Sequence, residues 1–180
     1  AIKRGEAHLA HIHLLDETDG TYNVSFVRRY LGDREMSLIK GVKRIQGFIV
    51  KKGNPKGIRG FADFLEKDLQ FVNRQRGAGT RILVDYQLKL MGMDTGKIKG
   101  YDREMTTHMA VAAAVSSGTA DVGVGVLSAA KAMDLDFIPI GEESYDFAIP
   151  TKYLEEDKIK QFIKVLKSPQ FKETLDRLGG

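Results

Sequence analysis

The sequence predicts an α/β protein built on a doubly wound parallel sheet. Three observations carry that prediction. Over residues 69–140, short apolar segments alternate with helical ones in a β-α-β-α-β-α-β order. Residues 71–81 (F-V-N-R-Q-R-G-A-G-T-R) read as a strand, a glycine-interrupted turn and the start of a helix. Residues 120–126 (A-D-V-G-V-G-V) read as a buried strand whose glycines permit close approach by a helix or a ligand.

The elements follow in order. Residues 1–5 look like the tail of a helix, and residues 7–15 a strand supported by alternation over His11, Ile12, His13 and Leu14. A chain that opens mid-pattern is expected to be part of a longer one. His11 and His13 share one strand face, and His8 lies nearby. Without a third ligand these are expected to be surface or packed residues, not a metal site. Residues 16–23 (D-E-T-D-G-T-Y-N) carry turn chemistry, and their acidic cluster lacks the spacing and terminal glutamate of a calcium loop. Val24, Val27 and Leu31 give residues 24–31 an apolar helical face that also carries Arg28 and Arg29.

Residues 36–51 are strand-like and stop at Gly53-Asn54-Pro55; residues 61–65 read as a short helix before the strand at Leu69. Over 82–91, Val84, Tyr86, Leu88 and Leu90 alternate with polar residues as a strand would. Helix-forming composition, and the crossover that a parallel sheet needs here, select a helix instead. Residues 98–101 are expected to be a short strand. Thr106 or Thr107 caps an alanine-rich helix that runs to Ser117 and is closed by Gly118. Residues 128–133 read as a helix, 136–140 as a strand stopped by Pro139 and Gly141, and 144–149 as a further strand ended by Pro150. In 155–167, Ile159, Phe162, Ile163 and Leu166 form an apolar stripe behind Glu155, Glu156 and Asp157 in the first turn. Ser168-Pro169 opens a last helix, with Phe171, Leu175 and Leu178 inward and Gly179 at its end.

At 180 residues, with 42% hydrophobic and 29% charged, the chain can fold as one large domain or two small lobes. A net charge of +4 favours anionic partners, but it is too mild and too evenly spread to predict direct nucleic-acid contact. No stretch approaches a membrane span, and residues 1–20 are charged where a signal core would be apolar, so a cytoplasmic location with no membrane partner is expected. The absence of cysteine excludes disulfides, thiolate metal sites and a cysteine nucleophile.

The chemistry concentrates at the glycine-rich turn. Around Gly77, Ala78 and Gly79 a helix start leaves backbone N–H groups without intrahelical partners, at the positive end of the helix dipole. Arg74, Arg76 and Arg81 add positive charge, the Thr80 hydroxyl can cap or donate, and Asn73 sits at the strand's carboxyl end. The functional reading is a site for an oxyanion, or for the anionic part of a larger ligand. The alternative is a βα turn whose arginines are merely solvated. The turn lacks the phosphate-loop lysine and holds only a fragment of G-x-G-x-x-G. Thr107, His108 and Asp146 could be imagined as nucleophile, base and orienter, but neighbours at a helix start point apart, so no catalytic residue is expected.

The strings G-N-P-K (53–56), F-V-N-R-Q-R-G-A-G-T-R (71–81), G-Y-D-R-E-M-T-T-H (100–108), V-S-S-G-T-A-D-V-G-V-G (115–125), L-D-F-I-P-I (135–140) and Y-D-F-A-I-P (145–150) cover nearly the whole chain in order. Together they resemble the periplasmic-binding-protein-like domain attached to molybdopterin biosynthesis proteins and molybdate-responsive regulators, whose relatives include type II solute-binding proteins for molybdate and tungstate. The resemblance implies a two-lobed type II fold with parallel-type sheets and helices on both faces. Lobe two would be residues 49–140. Lobe one would be residues 1–44 plus 150–180, with hinge strands at 45–48 and 141–149, a ligand in the cleft, and a first βα unit preceding residue 1.

It also implies ligand contacts at Asn73, Arg74, Gly77, Ala78, Gly79, Thr80 and Arg81, at the pair Thr107 and His108, at Gly125 in a backbone-donating loop, and at the hinge residue Tyr145. The function so implied is non-enzymatic: a binding or sensor domain for a molybdate- or tungstate-like oxyanion, or for a molybdopterin-type anionic ligand. The alternatives are an auxiliary domain serving a molybdenum cofactor enzyme and an effector domain fused to a DNA-binding module. On this reading Thr80→Val and Arg81→Ala each weaken anion binding with little loss of stability.

Overall fold

The structure, a computed structural model, describes residues 1–32 and 34–178. It divides into two units, Ala1–Arg44 with Glu143–Gly180, and Ile45–Glu142.

In the second unit, β3 (Phe71–Arg74) lies between β4 (Glu104–Met105) and β5 (Val122–Val126) and pairs in parallel with both. The last residues of β2 (Met36–Val50) run antiparallel to β5, with Gln46 opposite Val126 and Val50 opposite Val122. The sheet is therefore mixed at this border. Parallel neighbours need a crossover, and helices supply it: α3 (Gly79–Leu90) follows β3, α4 (His108–Ser117) follows β4, and α5 (Leu127–Ala132) follows β5. The alternating segment at 82–91 is thus helical. Of the alternating set only Val84 and Leu88, four residues apart on one helix face, are buried in the core, whereas Leu90 is exposed.

Each sheet face carries its own hydrophobic cluster. One joins Phe48, Val50, Val122 and Val124 to Val84 and Leu88 of α3, and the short helix α2 (Asp63–Glu66) adds Phe64. The other joins Ile49 and Val72 to Val111, Ala112 and Val115 of α4. Close packing of α4 requires Gly123, where a Cβ would lie 2.3 Å from Val111 Cγ1. Thr107 caps α4 by accepting from the Ala110 N–H at 3.0 Å, and Gly118 ends it at φ +79°.

Residues 98–101 do not form the expected strand. Gly100 turns the chain at φ +85°, where a Cβ would lie 2.0 Å from the Phe71 carbonyl oxygen. The carbonyls of Lys99 and Arg103 still accept from Phe71 and Asn73 at 2.9 Å, so the segment borders β3 as a turn, and the strand begins only at Glu104.

In the first unit, β1 (Ala10–Ile12) pairs antiparallel with β6 (Asp136–Pro150), Ala10 opposite Ala148, and the order continues to β2. Strand β1 is shorter than the expected 7–15; beyond it Leu15 bridges to Tyr22. Residues 1–5 hold a single 3-10 turn, Ile2–Arg4. The two strands expected at 136–140 and 144–149 are one. Pro139 and Gly141 do not interrupt β6, because β1 reaches only Asp146–Ala148 and leaves the 139–141 stretch with an open side where a missing N–H is tolerated. Strands β2 and β6 each run through the boundary between the units, so residues 45–48 and 141–149 are extended chain.

Helices α1 (Val24–Leu31), α6 (Asp157–Leu166) and α7 (Pro169–Leu178) complete this unit. Of the acidic trio only Asp157 falls in the first turn of α6. Ser168 caps α7, its Oγ accepting from the Phe171 N–H at 3.2 Å. Leu178, expected inward, is exposed, and the expected end at Gly179 lies outside the described residues. Both hydrophobic clusters belong to the second unit; α1 and α7 bury no residue, and α6 buries only Ile159.

Candidate functional site

Parallel pairing sets the carboxyl ends of β3, β4 and β5 at one edge of the second unit, so α3, α4 and α5 begin there. The glycine-rich turn leads into α3. Gly77 takes φ +83°, which permits the tight reversal, and the Ala78 N–H donates to the Gln75 carbonyl at 3.1 Å. Ala78 is the N-cap, with extended backbone and no side-chain cap. The first-turn N–H groups of α3, from Gly79 through Arg81, thus meet no capping oxygen, while the buried Thr80 sets its hydroxyl in the same turn. Helix α4 differs: the Thr107 hydroxyl is already committed to Ala110.

The arginines divide by role. Arg81, expected to neutralise a ligand, is 3% exposed. Its Nε donates to Asp85 at 2.9 Å, its Nη1 to Glu104 at 3.1 Å, and its guanidinium lies 4.3 Å from the Tyr101 ring centroid. The Tyr101 hydroxyl donates to the same Asp85 at 2.7 Å. Arg81 is therefore a strut between α3 and the 101–104 segment, with its charge already matched by two carboxylates. Asn73 is buried as well: its Nδ2 donates to the Tyr101 carbonyl at 3.2 Å, and its Oδ1 accepts from the Arg74 N–H at 3.0 Å. Arg74 reaches the carbonyls of Met105 at 3.3 Å and Thr106 at 3.1 Å. Arg76 is the open guanidinium. Its side chain is 81% exposed and stands 3.7 Å from Glu104 and 4.0 Å from Asp102, beside a recess of about 430 Å³.

His108 opens α4 above Gly125 of β5. A Cβ on Gly125 would lie 3.5 Å from His108 Nδ1, an ordinary contact, and 2.8 Å from Ile49 Cδ1, so a side chain there would crowd Ile49 and not the ring. Gly125 is itself within the ladder, opposite Gly47. Asn73, Arg74, Gly77, Ala78, Gly79, Thr80, Arg81, Thr107, His108 and Gly125 all belong to this unit's sheet edge or its helix starts.

Tyr145 belongs to the first unit. Its ring stacks on those of His11 and His13, each at 5.1 Å between centroids, and Arg44 lies 4.7 Å from its centroid. Beside it Glu143, 1% exposed, accepts from Arg44 Nε and meets His13 Nδ1, both at 2.9 Å. Burial pushes the Glu143 carboxyl up, but the His13 hydrogen bond and the Arg44 charge outweigh it, so the group titrates below the usual glutamate range. Burial and the Glu143 charge push the Tyr22 hydroxyl up to about 12. This cluster was not legible in the sequence, since a glutamate in a strand-like stretch reads as a solvent-facing residue. His8 packs against Tyr153 at 4.5 Å, and no grouping of three metal-ligating side chains occurs among the described residues.

A mixed α/β chain with a parallel sheet edge lined by helix starts sets its loops where open α/β folds commonly bind ligands. The family model for the PBP superfamily domain matches residues 1–167, and the chain belongs to that superfamily. It is 38% identical over 177 residues to the uncharacterized protein YvgK of Bacillus subtilis strain 168, covering 98% of this chain and 57% of that protein's length. Among solved structures it resembles the substrate-binding domain of a molybdenum ABC transporter from Clostridium difficile (TM-score 0.67, 15% identity, 99% of this chain and 78% of that one). It also resembles the Synechocystis CcmR regulatory domain in complex with 2-PG (TM-score 0.63, 14% identity, 91% and 74%). These likenesses establish a type II periplasmic-binding-protein-like fold. Among the described residues no helix is long and apolar enough to cross a membrane.

Two substitutions test the roles assigned here. Arg81→Ala is expected to cost about 2–3 kcal/mol in chemical denaturation, somewhat less than a fully buried pair because Asp85 and Glu104 are partly exposed. This replaces the expectation of little stability loss. Glu143→Gln is expected to cost about 2 kcal/mol at neutral pH. Because folding depresses this carboxyl, its stabilisation is full above the unfolded value of about 4.3 and is lost as pH falls through the folded value. The variant should therefore show a flatter acid limb in a stability-versus-pH series, and an unchanged limb would remove Glu143 from the account.

Proposed function

We propose that the chain is a small-molecule binding or sensor domain, not an enzyme, and that an anionic ligand docks on the helix starts of the second unit. The observation that carries this reading is the first turn of α3: uncapped, at the carboxyl edge of a parallel sheet, with the exposed Arg76 beside it. Backbone N–H groups held by a rigid helix bind an anion without reorganising, and such charge-assisted bonds strengthen when water is excluded. Thr80 adds a hydroxyl, and the Thr107–His108 pair marks the neighbouring helix start. Arg81 acts indirectly, by holding α3 against Glu104.

The ligand class is an oxyanion such as molybdate or tungstate, or an anionic pterin-type molecule. The molybdenum-transporter and 2-PG-bound structures support an anion in this fold, by what their own descriptions say of them. The domain works as part of a longer, cytoplasmic protein, serving a molybdenum cofactor enzyme or controlling a DNA-binding module. Two observations support a longer protein. The Bacillus subtilis relative is matched over only 57% of its length, and the apolar stripes of α1 and α7 are only half buried in the first unit, where a further βα element would pack.

A thermal-shift panel with molybdate, tungstate, sulfate, phosphate and a phosphorylated pterin tests the reading. A ligand at about 100 times its dissociation constant adds about 2.7 kcal/mol of stability. At least one anion should stabilise the wild type, and Thr80→Val should weaken that binding by about 1–2 kcal/mol. Stabilisation that is unaffected by Thr80→Val would move the site away from α3.

A further inference from the structure

Gln46 is fully buried in β2, and neither its Nε2 nor its Oε1 has a hydrogen-bond partner among the described residues. A primary amide brings two donor hydrogens and one acceptor oxygen, and burying all of them unpaired is costly. Directly opposed residues of an antiparallel pair share a face. Gln46 precedes Phe48 and Val50 on one strand face by alternation; its partner Val126, at the end of β5, packs into the α4 and α5 cluster, whereas Val124 and Val122 lie opposite Phe48 and Val50. Phe48, Val50, Val122 and Val124 pack with Val84 and Leu88 of α3. Thr80 precedes those two residues in four-residue steps along one helix face. Gln46 therefore ends the strand side of this layer and Thr80 ends its helix side, both at the carboxyl end of β5 where α3 begins. In the turn leading to α3, the Gln75 Oε1 is likewise buried without a partner.

We infer that Gln46 reads the ligand, and that the ligand of the second unit is an organic anion bearing O–H or N–H donors, not a bare tetrahedral oxyanion. This rests on the anion-binding reading above and narrows it. A fully deprotonated tetraoxo anion offers acceptors alone. It can satisfy the N–H groups of α3 and the Nε2 of Gln46, but it leaves the amide oxygens of Gln46 and Gln75 unpaired. A molecule that pairs an anionic group with a hydroxyl or ring N–H supplies both sides: the anion meets the start of α3 and the donor meets Oε1 of Gln46. A site built around buried polar groups rejects analogues that leave them unpaired, so Gln46 sets specificity.

Calorimetric titration and ligand-free melting of wild type and Gln46→Leu test this, with tungstate and sulfate as acceptor-only probes and 3-phosphoglycerate and neopterin monophosphate as donor-bearing ones. Wild type should bind at least one donor-bearing probe at least tenfold more tightly than either acceptor-only probe. Gln46→Leu should melt higher without ligand, because an unpaired amide is gone, yet lose at least tenfold in affinity for the donor-bearing probe and at least threefold less than that for tungstate, which loses only its contact with Nε2. A lower ligand-free melting temperature would show that the folded protein already satisfies the amide and would overturn the inference, as would preference for tungstate or sulfate. Binding of none of the four overturns the anion-binding reading together with this one, whereas binding with the opposite preference overturns this one alone.

Discussion

Because β5, β3 and β4 pair in parallel, the chain leaving each strand must cross a sheet face before it can return as the next one. Helices do this with the fewest unsatisfied backbone groups, and they cover both faces of the sheet as they cross. One face is sealed by α3 through Val84 and Leu88, the other by α4 through Val111 and Val115. The same constraint gathers the helix starts at one edge. The candidate site is thus a by-product of how the core is built.

That edge separates structural charge from available charge. Arg81 is enclosed by Asp85, Glu104 and Tyr101, and its role is to fix where α3 begins. Asn73 and Arg74 spend their hydrogen bonds on the 101–106 segment, which holds the turn from the opposite side. What stays open to a ligand is the exposed Arg76 and the backbone of the first turn of α3, where Ala78 stands in the capping position and brings no side-chain oxygen. A serine or aspartate there would satisfy those N–H groups internally and blunt the site.

Much of this was legible in the sequence where one local rule dominated. Thr107 and Gly118 bracket α4 because a hydroxyl cap and a positive-φ glycine have few other uses at that spacing. Segment 82–91 was legible only by setting connectivity above alternation. Elsewhere a local rule misled. Pro139 and Gly141 read as a strand end, yet β6 passes through them on a stretch that β1 does not reach. Residues 98–101 read as a strand, yet Gly100 must turn to clear the Phe71 carbonyl, a contact 29 positions away in sequence. The motifs put residues 77–81 and the pair Thr107–His108 at helix starts, where the structure also has them, while Gly125, expected in a loop, lies within β5; which arginine is enclosed depends on Asp85, Tyr101 and Glu104 converging in space. Gln46 and Glu143 gave no signal, since a polar residue in an apolar strand reads as a solvent-facing one until its burial is seen.

The first unit has another character. Its helices leave their apolar stripes half covered, and its best-buried chemistry is ionic: Glu143 held by Arg44 and His13, with Tyr145 stacked on His11 and His13. Nuclear magnetic resonance tests anion binding at the start of α3 most directly. In ¹H–¹⁵N correlation spectra recorded during titration with 3-phosphoglycerate and, separately, tungstate, the amides of Gly79, Thr80 and Arg81 should shift earliest and furthest. Shifts that spare these three amides and gather instead at the basic turn around Lys51, Lys52 and Lys56 would contradict it.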